Sequence, residues 1–374
     1  MRRRAAHALA DVRPADDTTS GGEWEQHRLS PTDFPVPELI LFGLRNLRDL
    51  ESWGPGEKLR WGITATFGDI PFSVSLEKFG LRLYVPKGLA ADVRDELVRR
   101  LQAAVKLSEA YLQDLARQQI DAGNVTIENQ YRHFEGAYRF FREKAGVAYE
   151  TAPPKPKITR RDKDGRPMGW SSEPWKPQIE GGYLAGAMVD AYFSRLEHLL
   201  VLVLPFLDFE PSVGALVRFV GLTWDEKWRK VFDVAGDNTA KLRYDQLRHI
   251  KETVRNPLSH GGFAKKGTSF FFHVDKIGAL PALLTKHGRS FELFITRVPH
   301  GTYQELCSQL DDVDAFLAAS TVAPGVQYAQ TGLDVAFSAD FRRACKAAAQ
   351  SSEGLEEFID HQTYMTDTHA NMDY

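Results

Sequence analysis

The chain has 374 residues, 43% of them hydrophobic, which suffices for two domains or for one domain with appendages. Its 47 basic and 50 acidic residues give a formal net charge of −3, which excludes attraction of the whole molecule to nucleic acid. Cys307 and Cys345 have neither metal-ligand spacing nor a disulfide framework, so we expect a reducing compartment, the cytoplasm.

Neither end nor any apolar run of the chain predicts a membrane segment. The basic N-terminus is not followed by an apolar stretch of signal-peptide length. The strongest apolar run, LLVLVLPFL from Leu199, is too short to cross a bilayer. Residues 1–33 carry charge, Gly, Ser and Pro without an apolar period, which predicts a disordered N-terminus.

Residues 34–150 predict a β-meander followed by long helices. A short apolar helix is expected within 34–48, and three β-rich runs separated by turns lie between Leu59 and Val85. A long helical period begins at Ala90, pauses at Asp121 and resumes at Tyr131. The aromatic residues of that last helix are expected in the core, although such a stripe is also able to stack on bases.

Residues 151–180 contain six prolines and a basic cluster, which favours a linker or an exposed loop. The basic cluster Arg160, Arg161 and Lys163 either contacts RNA or is simply solvated. Trp170 and Trp175 indicate that part of this segment is held against a surface.

Residues 181–265 predict helices in sequence with short connections, as in an up-and-down bundle. The predicted fold class is therefore mainly α, with the β-meander or a hairpin as a small appendage. For residues 266–360 we expect an α+β extension, in which DKIGALPALLTKHG forms a short helix between two strand-like runs. Residues 361–374 lack a period and are expected to form a tail.

The stretch from Leu242 to Gly262 is an amphipathic helix that a proline interrupts. Leu242, Leu247, Ile250 and Val254 recur at helical spacing, and Pro257 removes a backbone donor and ends the helix. Arg255, Asn256 and His260 thus lie at a helix break. The structural interpretation is that Arg255 and His260 are simply cations at a helix C-terminus, where positive charge is favoured.

Two other Arg/His pairs in the chain have similar spacing. Arg2 and His7 lie in the segment predicted to be disordered. Arg243 and His249 lie six residues apart in one helix, about 240° around its axis, so they diverge. Only the pair Arg255 and His260 spans a helix break.

The string RNPLSHG at this break resembles the signature of the HEPN superfamily, an Arg, often followed by Asn, and a His four to six residues later. The resemblance covers about residues 181–265 and includes a polar pair, Glu197 and His198, on an earlier helix. Many HEPN proteins are metal-independent ribonucleases of bacterial defence and toxin systems. One subfamily controlled by tyrosine AMPylation has Tyr two residues after the His; here Gly262 occupies that position, so this control is not expected.

The resemblance implies an endoribonuclease in which Arg255, Asn256 and His260 are catalytic and Glu197 orients the site. It implies cleavage by 2′-OH attack to give a 2′,3′-cyclic phosphate, with no metal and no cofactor. It also implies a homodimer in which two motifs face one cleft, and a possible regulatory or antitoxin-like partner. An equally good alternative to the site-orienting role is that Glu197 is a buried partner of a basic residue.

A local excess of positive charge surrounds the motif. From Lys227 to Lys266 there are ten basic and four acidic residues, a net charge of +6 in a chain of net charge −3. Such a patch suits RNA, with Lys251, Lys265 and Lys266 as candidate contacts, although a solvated helix face gives the same pattern. Two other functions stay open: a non-catalytic HEPN-like module that binds a protein or nucleotide, and a helical effector without RNA chemistry.

Overall fold

The computed structural model falls into two compact units, residues 1–122 with 359–374 (unit 1) and residues 123–358 (unit 2). The residues that the structure describes are 9, 11–15, 23–155, 157–171, 173, 175–209, 212–255, 269–284, 291–292, 298 and 300–372. No helix in these described ranges is long and apolar enough to span a membrane.

Unit 1 is built on a five-stranded antiparallel sheet and a long helix. Its elements are β1 (Val12–Pro14), β2 (Trp24–Arg28), α1 (Glu38–Phe42) with a π-helical turn at Gly43–Leu47, β3 (Leu59–Phe67), β4 (Ile70–Glu77), β5 (Gly80–Pro86) and α2 (Ala91–Asp121). The strand order is β1-β3-β4-β5-β2. Alternate residues of the strands, such as Ile63, Val74 and Leu83, are buried with Leu97 and Leu101 of α2.

The predicted three-stranded meander is confirmed as β3 to β5, but two flanking strands were missed. They come from the N-terminal segment predicted to be disordered. All five residues of β2 are exposed or half-buried, so this edge strand has no apolar alternation that would reveal it. Main-chain pairing of Trp24–Arg28 with Arg82–Pro86 places it in the sheet.

Unit 2 is mainly helical with three small sheets in its described residues. Its helices are α3 (Tyr131–Glu150), α4 (Lys176–Leu202), α5 (Ala215–Val220), α6 (Trp224–Val231), α7 (Asn238–Ile250), α8 (His300–Ala319), α9 (Ala323–Thr331), α10 (Ala339–Ala348) and the first seven residues of α11 (Ser352–Asn371), which continues into unit 1 from residue 359. Its strands are β6 (Thr126–Ile127), β7 (Lys157–Arg161), β8 (Pro167–Ser171), β9 (Ser269–Val274), β10 (Gly278–Leu284), β11 (Phe291–Glu292) and β12 (Val335–Ala336).

A buried ion-pair network ties α3, α4 and α8 together. The guanidinium of Arg195, whose side chain is only 4% exposed, donates to carboxylates of Glu135 and Asp314. The Tyr192 hydroxyl donates to Oδ1 of Asp314 at 2.9 Å. The ring of Tyr138, predicted to be in the core, is buried 5.3 Å from the Tyr192 ring. These contacts fix α4, which carries the candidate site, against its neighbours.

The predicted fold class, a mainly α up-and-down bundle with a small β appendage, is wrong. The described residues are mainly helical, but their five-stranded antiparallel sheet and smaller sheets make the fold a mixed α/β one. The β content was underestimated partly because the apolar run Gly278–Leu284, predicted as a helix, is the central strand β10 of a three-stranded sheet. A seven-residue apolar run cannot be assigned to helix or strand by periodicity alone.

Two further predictions need correction. The segment 151–180 is not wholly irregular, because β7 pairs with β8 in a hairpin and α4 begins at Lys176. Trp175, predicted to lie against a surface, is 53% exposed, and the side chain of Trp170 lies outside what the structure describes. The expected tail is helical as far as Asn371, with the main chain of Met372 accepting from the Lys58 N–H at 2.8 Å. The other predicted domain limits stay predictions.

Candidate functional site

Helix α4 provides three side chains on one face. Asp190, Phe193 and Glu197 are three and seven residues apart, so they lie within about 60° of one another around the helix. Most of this helix is buried, whereas Asp190 and Glu197 are partly exposed, with side chains 49% and 34% accessible. Two partly exposed carboxylates therefore lie on one face of a largely buried helix.

Helix α7 brings Arg255 to this face. Asp237 caps the helix by accepting hydrogen bonds from the N–H groups of Thr239 and Ala240. The buried Leu247 and Ile250 hold it in the core. After Ile250 the helix widens into a π turn, Lys251–Arg255, a rare conformation that occurs often at functional sites.

Three contacts with α4 orient the Arg255 guanidinium. Nε donates to Oδ1 of Asp190 at 2.9 Å, and Nη1 lies 3.9 Å from Oε1 of Glu197. Cζ lies 5.1 Å from the centre of the Phe193 ring, in cation–π range. Among the described residues, neither Nη atom donates a hydrogen bond. The side chain is 26% exposed, and a guanidinium of this kind is suited to binding an anion through two parallel donors.

An aromatic path leads from Arg255 to Lys251. The Phe193 and Trp224 rings meet edge-on at 5.3 Å, and Nζ of Lys251 lies 5.6 Å from the Trp224 ring centre. Trp224 and Lys251 also line an open pocket of about 480 Å³ with the basic residues Arg229 and Arg248. Asp225 and Glu252 pair with these two arginines, which offsets much of the pocket's positive charge.

Lys227 of α6 is a buried cation that sequence patterns did not indicate. The residue is only 4% exposed, and it lies on the same helix face as the buried Trp224, three positions earlier. Burial lowers the pKa of Lys227, and the negative charge of Glu197 partly offsets this. The sequence offered one signal for this burial, because Lys227 lies between Trp224 and Trp228, which are expected in the core. Charged residues are rarely buried unless they are paired.

His198, the other half of the predicted polar pair, faces α3. Its Nε2 accepts a hydrogen bond from the N–H of Gln130 at 3.0 Å, and its ring lies 5.4 Å from the Phe134 ring. Burial and the nearby charge of Lys227 lower the pKa of His198. The neutral form with the proton on Nδ1 fits this contact.

The structure brings together only some of the predicted site residues. Arg255 and Glu197 are in contact, and Lys251 lies beside the aromatic path. Asn256, His260, Lys265 and Lys266 lie outside the described residues. Asp190, Phe193 and Lys227 are additions that only the structure supplies.

Arg243, which belongs to one of the competing Arg/His pairs, points elsewhere. Its Nη1 donates to Oδ2 of Asp312 in α8 at 3.1 Å. His249 is exposed on the same helix. This pair therefore offers no joint site.

In the described part of the chain, no three His, Cys, Asp or Glu side chains lie close enough together to hold a metal ion. Comparisons of the chain with protein-family models, with curated proteins and with solved structures find no match.

Proposed function

We propose that the chain is a HEPN-type, metal-independent endoribonuclease whose catalytic residues are Arg255, Asn256 and His260. The main support for this proposal is the placement of Arg255. Its guanidinium reaches across to Asp190, Glu197 and Phe193 of α4, instead of binding the last carbonyls of its own helix. This placement disfavours a simple helix-capping cation and suits a residue held ready for a ligand.

The proposed chemistry uses the nucleophile that RNA itself carries. A base removes the proton of the 2′-hydroxyl, the 2′-oxygen attacks the adjacent phosphorus, and the bond to the 5′-oxygen breaks. An acid protonates that leaving oxygen, so the products are a 2′,3′-cyclic phosphate and a 5′-hydroxyl. His260 is the proton-transfer group, since histidine has the side-chain pKa nearest neutrality.

Arg255 and Asn256 serve the phosphate in this proposal. The two Nη groups of Arg255 donate in parallel to the non-bridging oxygens and offset the charge that develops there. Asn256 holds a phosphate oxygen or the imidazole. Because one chain supplies one motif histidine and cleavage uses an acid and a base, we propose a homodimer with two motifs at one cleft.

RNA is the proposed substrate and Lys251, Lys265 and Lys266 are proposed backbone contacts. The cytoplasm is the proposed compartment, and a regulatory or antitoxin-like partner is a further proposal. Phage defence or a toxin system is the proposed setting.

A second candidate is a non-catalytic module that binds a protein or nucleotide. The observation that favours it is the charge balance around Arg255, since its one positive charge faces two carboxylates. In such a module these contacts are purely structural.

Incubation of the purified protein with total RNA in EDTA separates the two candidates. The ribonuclease cleaves under these conditions and leaves 2′,3′-cyclic phosphate ends. His260→Ala abolishes this cleavage with an unchanged melting curve. Intact RNA, or equal cleavage by His260→Ala, would reject the ribonuclease.

A further inference from the structure

The hairpin that β7 forms with β8, residues 157–171, is basic and exposed to solvent. It has five basic and two acidic residues, a net charge of +3 in a chain of net charge −3. The basic residues are Lys157, Arg160, Arg161, Lys163 and Arg166. All five residues of β7 are exposed, and so are residues 163–168 of the turn and of β8. Packing against the core therefore gives no reason for this composition.

The two acidic residues of the hairpin do not neutralise its cations. Oδ1 of Asp162 accepts hydrogen bonds from the N–H of Asp164 at 3.0 Å and from the N–H of Arg166 at 2.7 Å, so this carboxylate holds the turn. Among the described residues, no carboxylate oxygen lies within 4.0 Å of a cationic nitrogen of a hairpin side chain. The positive charge of the hairpin is thus left to face the solvent or a partner.

Exposed arginines on the helices of unit 2 have different surroundings. Arg229, Arg248 and Arg343 each contact an aspartate or glutamate three or four residues away in the same helix. Such pairs are usual on a solvated helix face. The hairpin has no equivalent pairs in the described part of the chain, which distinguishes its cations from those of an ordinary solvated surface.

Hydrogen bonds fix the turn that carries three of these cations. Nη1 of Arg161 donates to the carbonyl of Gly165 at 2.7 Å, and the N–H of Asp162 donates to the carbonyl of Arg166 at 2.9 Å. Arg161, Lys163 and Arg166 are therefore held close together on a closed turn. Arginine and lysine side chains without a carboxylate partner suit the phosphates of a nucleic acid, which repeat along its backbone.

We propose that the hairpin of β7 and β8 is an RNA-binding arm that contacts backbone phosphates through Arg160, Lys163 and Arg166. The choice of RNA among polyanions rests on the proposed function of unit 2. The arm holds the substrate and takes no part in bond cleavage. It recognises phosphates rather than bases, so its binding does not depend on the RNA sequence.

The test is a triple variant in which the three proposed contacts become glutamine: Arg160→Gln, Lys163→Gln and Arg166→Gln. All three residues are exposed, so the melting curve should not change. The probe is a fluorescent 2′-O-methyl oligoribonucleotide, which has RNA phosphates but no free 2′-hydroxyl to attack them. Its affinity is measured over a series of salt concentrations.

A matched control loses three charges at other exposed positions of unit 2: Arg139→Gln, Lys144→Gln and Arg343→Gln. This variant has the same net charge as the triple hairpin variant. It therefore separates a contact at the hairpin from the general effect of charge on affinity.

We expect the logarithm of the association constant to fall linearly with the logarithm of salt concentration, by about 0.7 for each phosphate contact. The triple hairpin variant should therefore have a slope less steep by about 2, and roughly tenfold or more lower affinity at about 0.1 M salt. Lys163→Gln alone should reduce the slope by about 0.7. The control should retain the wild-type slope.

Four results would overturn the inference. They are a wild type that does not bind the probe, a triple hairpin variant with the wild-type slope, an equal loss in the control, and competition by a polyglutamate peptide as effective as by unlabelled RNA. The last result would assign the arm to an acidic protein. Cleavage in EDTA judges the ribonuclease separately: without cleavage the enzyme is rejected, while hairpin-dependent binding of the probe still supports the arm.

Discussion

Nε of Arg255 donates a hydrogen bond to Oδ1 of Asp190 at 2.9 Å, although the two residues are 65 positions apart in the chain. Nη1 of the same guanidinium lies 3.9 Å from Oε1 of Glu197. Phe193 lies beneath the same guanidinium. This geometry motivates the first two predictions.

Replacing Arg255 with Lys should abolish most RNA cleavage and hardly affect folding. Lysine keeps the charge but lacks the planar pair of donors, so we expect a loss of roughly 100-fold in single-turnover cleavage. The ion pairs of Arg255 are partly exposed, so the free energy of unfolding should change by less than about 1 kcal/mol. Arg243→Lys, in the same helix, is the control; wild-type cleavage by Arg255→Lys would contradict the assigned role.

Asp190→Asn should reduce cleavage roughly tenfold by loosening the orientation of Arg255. If Asp190 acts only through that side chain, the substitution should add almost nothing in an Arg255→Lys background. A double-mutant cycle on cleavage rates measures this coupling. Strictly additive losses would show that Asp190 acts independently of Arg255.

Arg195→Met should destabilise the protein by about 3–5 kcal/mol, because it leaves the carboxylates of Glu135 and Asp314 without their buried cation. Arg139→Met removes another partner of Glu135, but that arginine side chain is 77% exposed, so the cost should be below about 1 kcal/mol. Denaturant unfolding compares the two. Similar losses would mean that Arg195 is not the principal partner.

Glu135 should contribute to acid unfolding. Its burial raises its pKa, but the charge of Arg195 and hydrogen bonds from Arg195 and Arg139 outweigh this, so the pKa is lowered from 4.5. The carboxylate therefore adds stability above pH 4.5, and this contribution is lost as pH falls through the lower pKa of the folded state.

Glu135→Gln is accordingly expected to be less stable than the wild type at neutral pH but to lose less stability below pH 4.5. Unfolding free energies measured across this pH range test the expectation. Glu143→Gln, at an exposed site of the same helix, should leave the acid limb unchanged. An equally steep acid limb in Glu135→Gln would refute the assignment.

His198 should give a separate pH dependence nearer neutrality. Because burial and Lys227 lower its pKa from 6.5, the unfolded chain binds the proton more readily, and stability falls as pH drops below 6.5 toward the folded-state pKa. His198→Gln keeps an acceptor for the Gln130 N–H and should remove this decline. Melting temperatures against pH measure it, with the exposed His249→Gln as control; an unaltered slope would count against a buried neutral His198.

Several parts of the fold were accessible from the sequence because their signals are local. Strand β5 alternates buried and less buried residues, and the helix from Asn238 carries its apolar residues at helical spacing. Edge strand β2 was missed because main-chain pairing with the distant strand β5 decides it. Strand β10 was missed because its short apolar run does not distinguish a strand from a helix.

The sequence by itself determined that Arg255 follows an amphipathic helix and precedes Pro257, within a basic stretch. Only the tertiary structure decided that Asp190 and Phe193 receive its guanidinium and that Lys227 is buried. Local propensity and periodicity act over a few residues, whereas this cluster depends on how α4, α6 and the end of α7 pack together. Helix packing is set by the summed contacts of many side chains, so no short motif encodes the partners of Arg255.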